Sequence, residues 1–334
     1  MLIVLVILRI YESRFDQVIV FLGDTSKKGE SRGQIMSASS FADRDGYIWM
    51  DGELVPHRTA KCHVFTHALH YGSSVFEGIR AYGGKPFKLK EHCERLVYSG
   101  QALDMKIPYT SEQLAGAALE TLRANNISDG YIRPVAWRGS EEMGVNAQKA
   151  TIHVGMGCWV WPQYFSLESR LKGIRLIMAK WRRPSPECAP VHAKAAGLYI
   201  ICTLSKHDAE RVGCDDALFL DWRGYISEAT GANVFFVING EIHTPKPDCF
   251  LDGITRRTVI DLAKKRGFKV VERAILPEEM ANAQECFLTG TAAEVTPVRE
   301  ILDEYKFTPG EVCRALMSDF DTMVGRTEDA SSAA

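Results

Sequence analysis

The sequence predicts an α+β protein of about two domains, and three observations support this fold class. The chain has 334 residues, and globular domains average about 150 residues. Segments with apolar residues at helical spacing are interspersed with short strand-like runs bounded by turn residues. No strand-helix alternation carries a Gly-x-Gly-x-x-Gly turn, which argues against a dinucleotide-binding parallel sheet.

The composition is that of an ordinary globular protein. Hydrophobic residues make up 46% of the chain and charged residues 25%, which is close to average. The 40 basic and 42 acidic residues give a formal net charge of −2. This balance excludes a protein that works by bulk attraction to nucleic acid or anionic lipid. Nine cysteines, none spaced Cys-x-x-Cys, predict reduced thiols in a cytoplasmic protein.

The amino-terminal segment, residues 1–40, is predicted to be an extension that is disordered or non-native, with Met36 as the natural start. Residues 1–8 are apolar, but they lack the basic start and the cleavage site of a signal peptide. They are also much shorter than the roughly 20 residues that cross a bilayer. A short strand docked on the surface and a membrane anchor are the alternatives.

Two domains are predicted in the rest of the chain. Residues 41–160 form a small α/β domain and residues 167–325 a larger α+β domain. The interdomain loop is placed at residues 161–166, where Pro162 breaks a strand-like run. Residues 326–334 are polar and are predicted to be a flexible tail.

The elements of the small domain follow from turn and periodicity signals. A hairpin is predicted on the Asp51-Gly52 turn. Apolar residues at helical spacing predict helices over residues 89–105 and 111–124, and buried strands are predicted at 131–137 and 150–161.

The larger domain begins with a strand and continues as a meander of short strands. Its helices are predicted at 195–211, 254–266 and 310–323, and Gly267 follows the second of these as a helix terminator. The predicted strands lie at 173–181, 217–221, 225–227, 233–238, 241–243, 268–275 and 285–288.

Lys194 is the residue that first suggests chemistry. It is a lone cation among small residues just before an apolar helix, so a bulky group has room on its ε-nitrogen. An amine in an apolar place loses part of its charge, and such a lysine can form Schiff bases and move protons. The alternative is an ordinary surface lysine at a helix start.

Two segments have the character of anion cradles. Residues 252–255 lead into a predicted helix, and residues 289–294 follow a strand and are interpreted as a second helix start. Free backbone N–H groups and small side chains at a helix start suit a phosphate. Ordinary helix capping is the alternative for both.

Three charged residues lie among apolar neighbours. Arg80 needs an anionic partner, which is either a ligand or Glu77. Glu228 is placed either to accept a hydrogen bond from a protonated ring nitrogen or to cap a turn. Arg133 is either a bidentate clamp for a carboxylate or an edge-strand residue that faces water.

His63, His67 and His70 share one face if their segment is helical. No His-Glu-x-x-His motif and no third-ligand pattern follow, so core or turn histidines are predicted and no metal.

These segments together resemble the class IV, fold-type IV pyridoxal-phosphate aminotransferases, and most closely the branched-chain amino acid aminotransferases. The order and spacing match over about residues 47–323. The matching segments are residues 65–72 (FTHALHYG), 76–80 (FEGIR), 131–134 (YIRP), 144–146 (GVN), 193–195 (AKA), 226–228 (ISE), 252–256 (DGITR) and 290–298 (GTAAEVTPV).

The resemblance implies a two-domain fold with a β-barrel-like larger domain and a homodimer or larger homo-oligomer. It implies that Lys194 holds pyridoxal 5'-phosphate as a Schiff base and moves the substrate proton. Glu228 would keep the pyridine nitrogen protonated, and Tyr199 would bond the ring hydroxyl. The residues implied for the phosphate are Arg80, Ile254, Thr255 and Thr291.

For substrates, the resemblance implies a branched-chain L-amino acid (Leu, Ile or Val) and 2-oxoglutarate. Tyr131 and the backbone at Ala292 and Ala293 would take the substrate carboxylate, and Arg133 the distal carboxylate of glutamate. The residues implied for the apolar side-chain pocket are Phe76, Tyr71, Tyr164 and Trp161.

The chain departs from the family pattern at Ala232, where a glutamate is expected, and at residues 195–198 and 137–142. These departures bear on the substrate more than on the cofactor. A D-amino acid or (R)-amine transaminase and an aminodeoxychorismate lyase are the alternatives within the fold. A catalytically silent cofactor-binding protein and a metal hydrolase are the alternatives outside it.

Overall fold

The computed structural model describes residues 40–161 and 167–326. The predictions for the amino-terminal extension before residue 40, for the interdomain residues 162–166 and for the tail from residue 327 lie outside the described residues. No helix in the described part of the chain is long and apolar enough to cross a membrane.

The first half of the described chain builds one sheet and three helices. Its strands are β1 (Tyr47–Met50), β2 (Glu53–Pro56), β3 (Ser74–Phe76), β4 (Ile79–Tyr82), β5 (Lys85–Pro86), β6 (Gly130–Arg138) and β7 (Ile152–Val160). Its helices are α1 (His67–Tyr71), α2 (Leu89–Ala102) and α3 (Ser111–Ala124). The strand order is β2-β1-β7-β6-β4-β5, with β3 beside β6.

The second half builds a larger sheet. Its strands are β8 (Ile174–Arg183), β9 (Asp216–Asp221), β10 (Ile226–Ala229), β11 (Asn233–Ile238), β12 (Glu241–Pro245), β13 (Val270–Arg273), β14 (Ala283–Gly290), β15 (Glu294–Ile301) and β16 (Tyr305–Lys306). The helices are α4 (Leu167–Lys172), α5 (Ile200–Arg211), α6 (Ile254–Lys265) and α7 (Glu311–Met323). The order is β10-β9-β8-β15-β14-β11-β12-β13, and β10 also pairs with β11. That pairing closes six strands into a barrel, so the predicted α+β architecture is confirmed.

Local sequence signals explain several of these elements. Asp51 and Gly52 both have positive φ, 51° and 107°, as the tight hairpin turn between β1 and β2 requires. Thr110 caps α3, because its side chain accepts from the N–H of Gln113 while the Gln113 side chain accepts from the N–H of Thr110. Both the hairpin and this helix are found where the sequence predicts them.

The cores place the residues that face the site. One face of the first sheet packs against α2 and α3, and Ile132 and Ala136 of β6 are buried in that core. Because side chains alternate along a strand, Tyr131 and Arg133 point to the opposite face. The barrel is filled by a separate apolar core that includes Phe236.

Two local predictions are wrong. Residues 291–293 do not start a helix; they are the turn between β14 and β15, which pair antiparallel. Val-Thr-Pro-Val after Glu294 therefore belongs to a strand that was not predicted. The predicted helix from residue 195 begins instead with a short 3₁₀ turn, Ala196–Tyr199, before α5.

Candidate active site

A cavity of about 90 Å³ brings together residues from both halves of the chain. Tyr131 comes from the first sheet and Glu228 from the barrel. Thr255 comes from the start of α6 and Ala292 from the β14–β15 turn. The sequence-predicted residues that line the cavity are Lys194, Tyr199, Glu228, Ile254, Thr255, Thr291, Tyr131 and Ala292.

The backbone around Lys194 is anchored to the first half of the chain. Its carbonyl accepts from the N–H of Phe76 at 3.1 Å, and its N–H donates to the Ser99 hydroxyl at 3.0 Å. The next residue, Ala195, forms an isolated β-bridge with Val75. The position of the lysine is therefore fixed by tertiary contacts rather than by a regular helix.

The Lys194 side chain ends in the cavity. Its Nζ donates to the phenolic oxygen of Tyr199 at 2.6 Å and lies 4.9 Å from the ring centre of Phe76. Burial and the nearby Arg95 guanidinium lower the pKa of Lys194 from its ordinary value. A lowered pKa enlarges the neutral fraction of the amine, which is the nucleophilic form.

Glu228 is buried on β10 and is held by two donors. Arg183 approaches one carboxylate oxygen at 3.1 Å, and the Asn233 amide donates to the other at 3.3 Å. Burial raises the pKa of Glu228, while Arg183 opposes that rise. A cationic ring nitrogen beside this carboxylate would favour its ionised form further.

Another part of the cavity wall offers donors to an anion. Helix α6 begins at Ile254 after Gly253, and no side chain caps its start, so its first backbone N–H groups point out of the helix. Thr255 and Thr291 add hydroxyls to the cavity wall. The buried Thr289 hydroxyl, also on the wall, has no hydrogen-bond partner among the described residues.

The structure places a different arginine at the cavity. Arg80, predicted for the phosphate, does not line it; Arg80 is buried on β4, with its guanidinium 5.3 Å from the ring centre of Tyr82. Arg95, on α2, lines the cavity instead. Arg95 also donates two hydrogen bonds, at 2.6 and 2.9 Å, to the carboxylate of Glu77, the residue predicted as the alternative partner of Arg80.

Glu77 is fully buried and anchors Arg95 beside the cavity. Its second polar contact is the His92 ring, whose Nδ1 lies 2.7 Å from the carboxylate. Burial alone would raise the pKa of Glu77, but Arg95 and His92 outweigh burial and lower it. The carboxylate therefore stays charged and fixes the guanidinium.

Only some of the predicted substrate residues lie at the cavity. Tyr131 is buried, and a β-carbon at Gly78 would lie 1.7 Å from its phenolic oxygen, so this close approach requires glycine. Phe76 packs edge-on against Tyr199. Arg133 lies over the Phe76 ring at 4.9 Å but lines a neighbouring groove rather than the cavity. Ala293 is half-buried against the barrel core.

The remaining predicted pocket residues fall elsewhere. Tyr164 lies outside the described residues. Trp161 packs against Tyr131, with ring centres 4.5 Å apart. Tyr71 is exposed and bonds the carbonyl of Met143 at 3.1 Å, so in its own chain it does not line the cavity.

Arg95, Arg183 and Asn233 line the cavity but were not predicted from the sequence. Arg95 lies on an amphipathic helix, where its charge looks like that of a solvent-facing residue. Arg183 ends β8 directly after Arg182, so its charge also looks solvent-facing. Asn233 carries no signal beyond its position at the start of a strand. Thr289 belongs to the predicted anion cradle at residues 289–294.

The histidines have structural partners. The two ring nitrogens of His67 lie 2.7 Å from the Ser73 hydroxyl and 3.0 Å from the Gly144 carbonyl. These contacts tie α1 to the loop that carries Met143 and Val145.

Comparison with known proteins identifies the family. The sequence profile of amino-transferase class IV matches residues 74–301. The chain belongs to the class IV aminotransferases. It is 42% identical over 297 residues to a branched-chain-amino-acid aminotransferase of Pseudomonas aeruginosa, covering 86% of this chain and 96% of that relative.

Solved structures agree with this class IV aminotransferase assignment. A branched-chain aminotransferase of Thermoproteus uzoniensis with norvaline has a TM-score of 0.80 and 35% identity, covering 84% of this chain and 96% of that one. A branched-chain amino acid aminotransferase from T.th., complexed with N-(5'-phosphopyridoxyl)-L-glutamate, has a TM-score of 0.80 and 40% identity, covering 85% and 96%.

Proposed function

We propose that this class IV aminotransferase transfers the amino group of a branched-chain L-amino acid (Leu, Ile or Val) to 2-oxoglutarate. The products are the 2-oxo acid and L-glutamate, and the cofactor is pyridoxal 5'-phosphate. The observation that carries the proposal is that the Lys194 amine, bonded to Tyr199, shares one cavity with the Glu228 carboxylate and the start of α6. Relatives of this name, one solved with a phosphopyridoxyl-glutamate adduct, support it.

The residues that line the cavity fit both the phosphate and the ring nitrogen of the cofactor. Arg95, Thr255, Thr291 and the α6 backbone would hold the phosphate, and the unpartnered Thr289 hydroxyl is a further donor there. Glu228 would take the ring nitrogen. When bound, pyridoxal phosphate supplies an aldehyde carbon and a ring that withdraws electrons from the substrate Cα.

Residues of the protein would move the substrate proton and hold the reacting groups in place. The Lys194 Nζ would hold the proton that leaves the substrate Cα, and the lowering of its pKa by burial and Arg95 enlarges the neutral fraction that can act as a base. Tyr199 orients that amine through the 2.6 Å bond. Glu228, fixed by Arg183 and Asn233, would accept the hydrogen bond of a protonated ring nitrogen, and that cation would favour the ionised carboxylate.

Substrate binding is proposed for the residues that the family resemblance implies. Tyr131 and the backbone of Ala292 and Ala293 would receive the substrate carboxylate, and Phe76 and Tyr164 the apolar side chain. The Arg133 guanidinium and the Lys194 amine each lie 4.9 Å from the ring centre of Phe76. A guanidinium can bind the distal carboxylate of glutamate through two parallel hydrogen bonds.

A donor profile tests the proposal. Purified enzyme with pyridoxal phosphate and 2-oxoglutarate is assayed with L-leucine, D-alanine and (R)-1-phenylethylamine, and glutamate is measured. L-Leucine should be consumed and the other two should not, and Lys194→Ala should abolish turnover. Consumption of D-alanine but not L-leucine would assign the chain to the D-amino acid branch of the fold and contradict the proposal.

We also propose that two copies of the chain associate. Apolar side chains of α1, of the residues just before it and of the loop after β6 are exposed. The Tyr71 hydroxyl donates a hydrogen bond to the Met143 carbonyl and so connects α1 to that loop. The exposed residues are Val64, Phe65, Leu69, Tyr71, Met143 and Val145. Light scattering should give twice the monomer mass, and Leu69→Asp should give monomers. Val212→Asp, on an exposed residue after α5, is the control.

The proposed location is the cytoplasm. All nine cysteines lie within the described residues and are free thiols, a state typical of reducing compartments. Activity measured after cell fractionation should be found in the cytoplasmic fraction.

A further inference from the structure

The turn between β14 and β15 has an unusual closing residue. Gly290 pairs with Glu294 across residues 291–293, and Glu294 has a φ of +54°. A three-residue hairpin turn commonly ends in this left-handed conformation, and glycine usually occupies the position. A β-carbon makes the conformation costly, so side-chain contacts must hold Glu294 there.

Two residues supply those contacts. Arg326 makes two hydrogen bonds to the Glu294 carboxylate, at 2.6 and 2.7 Å, and the Tyr82 hydroxyl donates to the same carboxylate at 2.8 Å. Glu294 is 4% exposed. Burial alone would raise its pKa, but Arg326 outweighs burial and lowers it, so the carboxylate is charged and the pairing persists.

The contacts connect the turn to two distant parts of the chain. Arg326 follows α7 and also bonds Asp321 of that helix at 3.2 Å, and Asp321 in turn accepts from Arg170 of α4 at 3.1 Å. Tyr82 belongs to β4 of the first sheet. The turn is therefore connected both to the first sheet, through Tyr82, and to the end of α7, through Arg326. Its residues Thr291 and Ala292 line the cavity.

We propose that Glu294 is a positioning residue, held by Arg326 and Tyr82, that fixes residues 291–293 in the shape that binds the anionic groups of cofactor and substrate. The inference rests on the proposed function. Glu294 itself does not line the cavity, so it acts through the turn rather than by touching either ligand.

Substitution at position 294 separates the side chain from the backbone shape. Glu294→Ala removes the carboxylate contacts with Arg326 and Tyr82, here called the clamp, and keeps the energetic cost of positive φ. Glu294→Gly removes the same contacts without that cost. In Glu294→Ala, the KM for L-leucine and the apparent Kd for pyridoxal phosphate should rise about tenfold. The kcat at saturation should change less than about threefold. Glu294→Gly should recover a substantial part of the lost affinity.

Substitution of the partner tests the clamp from outside the turn. Arg326→Gln should raise the same two constants, and Arg326→Lys should restore them in part, because it keeps the charge but loses one of the two bonds. Arg266→Gln is the matched control, since it breaks an ion pair to Asp319 of α7 that does not reach the turn. Thermal unfolding of each variant verifies the fold.

The outcomes are distinct. If Glu294→Ala and Arg326→Gln match the Arg266→Gln control in KM and Kd, the inference is overturned and the proposed function stands. If Glu294→Gly is as impaired as Glu294→Ala, Glu294 does not act through the backbone shape, which also overturns it. If the wild-type enzyme neither binds pyridoxal phosphate nor consumes L-leucine, the proposed function fails.

Discussion

Asn233 approaches Gly253 so closely that a β-carbon at position 253 would lie 2.1 Å from its Oδ1. The Asn233 amide also donates to Glu228 at 3.3 Å and to the Leu251 carbonyl at 3.0 Å. Gly253 precedes α6, whose first turn is assigned to the phosphate. One side chain therefore links Glu228 to the start of α6.

Gly253→Ala should weaken cofactor binding, because the new methyl group must displace Asn233 from Glu228 or shift the start of α6. The apparent Kd for pyridoxal phosphate should rise about tenfold or more, measured by titrating apoenzyme and following absorbance. Gly116→Ala is the control, since Gly116 lies in α3 with open space around it. It should bind the cofactor normally and unfold with about 0.5–1 kcal/mol more free energy. Equal affinity in both variants would contradict the tight packing.

Glu228→Gln should leave the cofactor bound but slow turnover. An amide cannot hold the ring nitrogen in its protonated form as a carboxylate does, so the electron-withdrawing power of the ring falls. The kcat should drop about 100-fold, equivalent to about 2.7 kcal/mol of barrier. Single-turnover kinetics with L-leucine measures it. Glu241→Gln, on the half-buried carboxylate that pairs with Lys269, is the control. An unchanged rate would show that Glu228 is not the partner of the ring.

Arg95→Gln should lower affinity for pyridoxal phosphate more than Arg80→Gln does. Arg95 lines the cavity and Arg80 does not, and a hydrogen bond between charged groups contributes about 1.5–3 kcal/mol. The apparent Kd should rise about 10- to 100-fold in the Arg95 variant. Equilibrium dialysis of both apoenzyme variants measures the difference. A larger loss in the Arg80 variant would return the phosphate to Arg80.

Glu77→Gln should reduce stability in a pH-dependent way. The pKa of Glu77 is lowered below its ordinary value of 4.5, so as pH falls the unfolded chain binds its proton before the folded chain does. The advantage of the wild type is present above about pH 4.5 and is lost below it. At pH 7 the variant should lose about 3–5 kcal/mol, because Arg95 is left without its carboxylate. Urea unfolding from pH 3 to 7 measures this. A difference that stays constant with pH would contradict the ionic role of Glu77.

The sequence predicted most of the fold because local signals were strong. The Asp51-Gly52 turn and the capped helix after Thr110 appear where expected. The strand from Glu294 to Ile301 was missed because the small residues before it read as a helix start. That segment is a strand because it pairs with β14 across the 291–293 turn and with β8, which is distant in sequence.

The part of the candidate site that lies in short sequence motifs could be predicted. Lys194, Tyr199 and Glu228 do line one cavity, although their roles stay predictions. The sequence pointed to Arg80 because that arginine lies among apolar residues, whereas Arg95 follows Glu94 and looks solvent-facing. Only the tertiary packing of α2 shows which arginine reaches the cavity. The class IV aminotransferase resemblance is confirmed by the family match.

The most direct test of the central claim is chemical trapping of the cofactor. The holoenzyme is reduced with borohydride, digested, and mapped by mass spectrometry. A phosphopyridoxyl group should be found on the peptide that contains Lys194 and on no other, and adding L-leucine before reduction should remove it. A label on a different lysine, or none, would contradict the assignment of Lys194.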